Sequence, residues 1–82
     1  MKSVLYTRTA ATALRKHANR AKLIRTKIRQ YAGDASSQAN NVKPLVGVDA
    51  KRFRVGDFRV IFTETADTIT VLDIGPRGGI YE

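Results

Sequence analysis

The 82-residue chain has no cysteine and no tryptophan, and its one histidine is His17. Without cysteine no disulfide or thiolate zinc site can form, and a lone histidine leaves no protein-only zinc set. No apolar run approaches the ~20 residues that span a bilayer. Residues 1–6 lack the long apolar core of a signal peptide. A cytoplasmic protein with no membrane contact is therefore expected, as one domain over residues 1–82 with a small core. Acid is missing from the first part of the chain. Residues 1–33 hold nine Lys/Arg and no Asp or Glu, whereas residues 34–82 hold six Lys/Arg and seven Asp/Glu. The whole net charge of +8 thus comes from the N-terminal part. Such asymmetry points to a polyanion: nucleic acid, an acidic protein or an anionic surface. Enzyme motifs are missing as well. There is no HExxH, no Walker loop and no GxGxxG, and no carboxylates cluster to hold a metal for phosphoryl chemistry. No cofactor is expected.

Glycine and proline are absent from Thr7 to Ala32, which leaves that stretch free to be helical. Ala10, Leu14, His17, Ala21, Ile24, Ile28 and Tyr31 recur at steps of four and three, a helical stripe, with basic residues on the other faces. Thr7 or Thr9 is a fitting N-cap. The pattern permits one long helix, or two with a break near Ala18-Asn19, where Asn19 would cap the second. His17 sits in line with the stripe as a half-buried helix residue. Before the helices, residues 2–6 form a short strand. After them, Gly33-Asp34 closes the helical region, and residues 35–41 are a polar connection. Residues 42–46, with Pro44, read as an irregular or edge segment. Residues 47–50 form a turn.

The most informative stretch is 51–62. Arginine and apolar residues alternate through Val55, as a strand with one dry and one wet face requires. Phe53 and Val55 face a core, and Arg52 and Arg54 face away. Gly56-Asp57 is a two-residue turn with Gly first. On the return strand Phe58, Val60 and Phe62 face inward and Arg59 outward. Three arginines thus share one face of two paired strands. Lys51 lies on the opposite face. Residues 69–74 make a further strand, rich in β-branched side chains, and Gly75-Pro76-Arg77-Gly78-Gly79 forms a tight loop. The layout is α+β: an N-terminal strand, then helices packed on one face of a small antiparallel sheet, the other face free. Arg52, Arg54, Arg59 and Arg77 are expected to converge on that free face, with Tyr81 closing the site. Guanidinium groups bind phosphate bidentately and stabilise extra charge on phosphorus, and an aromatic ring can stack on an unpaired base. The set suits a single-stranded RNA backbone.

Two segments carry a family resemblance. Arg52-Phe53-Arg54-Val55-Gly56-Asp57-Phe58-Arg59-Val60-Ile61-Phe62 and Val71-Leu72-Asp73-Ile74-Gly75-Pro76-Arg77-Gly78-Gly79-Ile80-Tyr81 resemble the C-terminal half of the RelE/ParE superfamily of bacterial toxins. Asn41-Val42-Lys43-Pro44-Leu45-Val46-Gly47 resembles the family's segment before the sheet, and the basic stretch resembles its two-helix hairpin, which favours a break near Asn19. The resemblance implies a toxin neutralised by a cognate antitoxin. RelE-like members cleave mRNA in the ribosomal A site, with the RNA 2′-hydroxyl as nucleophile and a cyclic phosphate left upstream. ParE-like members poison DNA gyrase and lack the basic and tyrosine set. The resemblance makes Arg52 and Arg54 the paired strand cations, Arg59 the phosphate-binding arginine, Arg77 the loop arginine and Tyr81 the terminal aromatic, which favours the RelE type. A gyrase inhibitor and a catalytically inactive antitoxin-binding module are the alternatives. One departure stands out. The best-matched relatives with RNase activity carry lysines where this chain has Arg52 and Arg54. Arginine is a poor proton acceptor, so charge stabilisation is the role expected of Arg52.

Overall fold

Gly56 takes φ +57, the left-handed value that a two-residue turn with glycine first demands. Around it, β3 (Lys51–Val55) and β4 (Phe58–Glu64) pair antiparallel, Phe53 opposite Val60 and Val55 opposite Phe58. β5 (Thr68–Pro76) continues the meander beside β4. The computed structural model describes residues 1–76. Two further strands enlarge the sheet. β1 (Ser3–Tyr6) lies parallel to β5, and the three-residue β2 (Val42–Pro44) is antiparallel to β3. The order is β1-β5-β4-β3-β2.

The sheet is therefore mixed, not wholly antiparallel. The helical pair determines this. It returns the chain to the end of the sheet where β1 begins, and the Lys2 N–H donates to the Ala32 carbonyl at 3.2 Å. The helices are α1 (Arg8–Lys16) and α2 (Ala18–Gly33). Thr7 caps α1 by accepting from the Ala10 N–H at 3.1 Å, and its own hydroxyl donates to the Leu72 carbonyl at 2.8 Å. One side chain thus starts the helix and ties it to β5. The break between helices falls at His17 (φ −111, ψ 50), not at Asn19, which lies within α2. His17 is a junction residue whose ring meets Phe58 edge-on at 4.8 Å. That contact holds the helix reversal against the hairpin. A 3₁₀ segment (Ala35–Asn41) occupies the expected polar connection. It is capped by Asp34, which accepts from the Ser36 N–H and hydroxyl.

Both helices pack on one face of the sheet. Ala10, Leu14, Ile24, Ile28 and Tyr31 meet Phe53, Val55, Val60, Phe62, Ile69 and Val71, all buried. The Tyr31 ring packs against Phe62 at 5.3 Å and Phe53 at 5.8 Å. Residues that alternate with this set face the other way, with no helix of the described residues over them. Among the described residues no helix is long and apolar enough to cross a membrane.

Candidate functional site

Directly opposed residues on antiparallel strands point to the same side, so strand register fixes what shares the helix-free face. Arg54 lies opposite Arg59 on β4, and Arg52 lies opposite Ile61. The three strand arginines are therefore grouped on one face. Their settings differ: Arg54 is exposed, Arg52 half-buried and Arg59 only 4% exposed.

The short edge strand β2 extends the group. Its Lys43 lies opposite Arg52. Lys43, Arg52 and Arg54 line a hollow of about 60 Å³ together with Asn40 and Asn41, where the 3₁₀ segment runs into β2. The hollow is small and polar, and among the described residues its lining is cations and amides with no carboxylate. Such a lining favours an oxyanion. Lys43, Asn40 and Asn41 are absent from the sequence-based site. The available signal was the alternation Val42-Lys43, which places Lys43 opposite to the core-facing Val42. The shortness of the segment and Pro44 hid the strand. Arg77 and Tyr81 lie outside the described residues.

Beside the cations, on the same face, is an apolar hollow of about 270 Å³ lined by Leu45, Val48, Ala50, Ile61 and Leu72 with Asp49 and Thr63. It exists because the pairing of β4 with β5 slips at Ile61/Phe62, so that Ile61 faces Asp73 and Phe62 faces Val71, leaving Leu72 as an extra residue. Ile61 is buried there without belonging to the main core.

On the helix side a second charged group does different work. Glu64 receives Lys2 Nζ at 2.6 Å, Lys51 Nζ at 2.9 Å and the Tyr31 hydroxyl at 2.7 Å. Burial pushes the Glu64 carboxyl up. The hydrogen bonds from Lys2, Tyr31 and Lys51, with the Lys51 charge, outweigh it and hold the pKa at about 2. Burial, then the bond to Glu64 and its negative charge, push the Tyr31 hydroxyl up. Lys51 is thus committed to the helix side, away from the arginines.

The basic residues of the N-terminal third cover the outer surface of the helices. Arg15, Arg20 and Arg29 are exposed, and Arg25 lies over the Tyr6 ring at 5.4 Å.

Solved structures show the same architecture. A chain of the crystal structure of the archaeal RelE–RelB complex from Pyrococcus horikoshii OT3 superposes with a TM-score of 0.73 at 20% identity, over 96% of this chain and 98% of that one. YafQ from E. coli strain BL21(DE3) superposes with a TM-score of 0.65 at 13% identity, over the whole of both chains. No curated protein matches the sequence. The model of the family described as the ParE toxin of type II toxin–antitoxin system, parDE, covers residues 4–81, and the chain belongs to that family.

Proposed function

We propose that this toxin is an mRNA endonuclease that acts on the translating ribosome. The observation that carries the reading is the grouping of Arg52, Arg54 and Arg59 on one sheet face, opposite the helices, with Arg52 and Arg54 sharing a hollow with Lys43, Asn40 and Asn41. In the reaction the RNA 2′-oxygen attacks the adjacent phosphorus, the bond to the 5′-oxygen breaks, and a 2′,3′-cyclic phosphate remains. Negative charge accumulates on the phosphoryl oxygens, where preorganised guanidinium groups stabilise it most. Arg52, Arg54 and Arg59 grip the scissile phosphate. Arg77 adds charge stabilisation, and Tyr81 stacks on a base. The ribosome supplies much of the orientation of the mRNA.

The partner is an antitoxin. Similarity to a structure of a RelE–RelB complex supports this, as does an α1–α2 pair that carries arginines and lysines and no Asp or Glu. A net-acidic, amphipathic segment complements that surface.

The match to a ParE toxin model favours a second reading, inhibition of DNA gyrase without RNA chemistry. Induced expression separates the two. Primer extension on transcripts from translating cells is expected to show new 5′ ends within codons, with chromosomal DNA intact. DNA breaks with full-length mRNA would assign the protein to the gyrase reading.

A further inference from the structure

Cleavage by 2′-hydroxyl attack needs more than charge stabilisation, because the departing 5′-oxygen must take up a proton. Guanidinium groups are poor sources of one, because they hold their proton far above neutral pH. A lysine ammonium is a stronger acid and is protonated at neutral pH, the correct state for a proton donor. Lysines near the sheet are few. Lys51 and Lys2 both bind Glu64 on the helix side. Lys43 lies opposite Arg52 and shares the polar hollow with Arg52, Arg54, Asn40 and Asn41. Opposed side chains on antiparallel strands have Cβ atoms about 4.5–5.5 Å apart. A phosphate held by Arg52 and Arg54 is therefore within reach of the Lys43 amine, which projects from an exposed edge strand on a flexible stem.

We propose that Lys43 is the general acid of the cleavage step. The 2′-oxygen forms its bond to phosphorus and loses its proton to solvent. The bond from phosphorus to the 5′-oxygen breaks, and the electron pair left on that oxygen takes a proton from the Lys43 ammonium. The neutral amine is reprotonated from water before the next turnover. Asn40 and Asn41, in the same hollow, donate amide hydrogens to the non-bridging oxygens and keep the leaving oxygen turned toward Lys43. This role rests on the nuclease reading, and it assigns the chemistry to β2, outside the arginine hairpin.

The test uses the full chain with ribosomes programmed with a short mRNA, first to map the cut made by the wild-type protein. A second mRNA then carries sulfur in place of the 5′-bridging oxygen at that position. A thiolate leaves without protonation, because a thiol is a far stronger acid than an alcohol. Lys43→Arg keeps the charge and, at an exposed position, the fold. It is expected to slow cleavage of the oxygen substrate by about 10²-fold or more, and to cut the sulfur substrate within about tenfold of wild type. Equal cleavage of the oxygen substrate by Lys43→Arg and wild type would overturn the role. An equal loss on both substrates would also overturn it, leaving Lys43 a binding residue. If the wild-type protein cuts neither mRNA, the nuclease reading fails and this role falls with it. If the wild type cuts and the variant behaves as wild type, the general acid alone is refuted.

Discussion

Glu64 shows how one side chain can hold several elements at once. It lies at the end of β4 and accepts from Lys2 before β1, Tyr31 on α2 and Lys51 on β3. Its folded pKa of about 2 lies below the ordinary 4.5. A depressed carboxyl contributes stability that is full above the unfolded value and is lost as pH falls through the folded one. The protein should therefore lose on the order of 2–3 kcal/mol of stability from this group between about pH 4.5 and 2. Urea midpoints across that range measure it, and Glu64→Gln should flatten the dependence while lowering stability at pH 7 by about 2 kcal/mol. A steep acid dependence that persists in Glu64→Gln would place its origin elsewhere. Arg54 is exposed, so Arg54→Ala should leave the thermal midpoint nearly unchanged. Inorganic phosphate should raise the midpoint of the wild type more than that of Arg54→Ala.

At the scale of elements, the parts that sequence discloses are those whose period and turn chemistry agree. In β3 and β4 apolar residues alternate around Gly56-Asp57, and the burial of Phe53, Val55, Val60 and Phe62 follows that alternation. The helical stripe was legible for the same reason. Ala10, Leu14, Ile24, Ile28 and Tyr31 are buried, and only the position of the break moved, to His17. His17 breaks the helix through packing against Phe58, a contact 41 residues away that no local propensity encodes. β2 was read only as an irregular or edge segment, because three residues ending in proline carry almost no periodic signal, and its register depends on the loop that follows, closed by the Leu45 N–H to Ala50 carbonyl bond. The face shared by Arg52, Arg54 and Arg59 was legible in the strand alternation, and Lys43 was hidden for the reason just given, while Arg77 and Tyr81 lie outside the described residues. Thr7 offers a direct test of element coupling. It caps α1 and bonds to β5, so Thr7→Ala should cost about 1–2 kcal/mol by urea denaturation. A loss within about 0.3 kcal/mol would show that the helix start is held by packing alone.

For the whole molecule, two basic surfaces lie on opposite sides of one sheet. The helix surface holds Arg15, Arg20 and Arg29, and the helix-free face holds Arg52, Arg54 and Arg59. The parallel docking of β1 beside β5 sets how the helices cover the sheet, and strand pattern alone does not specify it, because direction depends on the path of the intervening helices. If the two surfaces divide the work, charge reversal of Arg15, Arg20 and Arg29 to Glu should weaken antitoxin binding at least tenfold and spare RNA cleavage. Retained antitoxin affinity with lost cleavage would instead assign the helix surface to the ribosome.

A role of the strand arginines in RNA cleavage is tested by cutting of mRNA on programmed ribosomes by the wild type and by the Arg52→Ala/Arg54→Ala double variant. Arg54 is exposed and Arg52 half-buried, so circular dichroism should show the variant folded. The wild type is expected to cut within a codon and leave a cyclic phosphate, and the variant to cut about 10³-fold more slowly. A wild-type protein that leaves the mRNA intact, or a folded double variant that cuts at the wild-type rate, would contradict it.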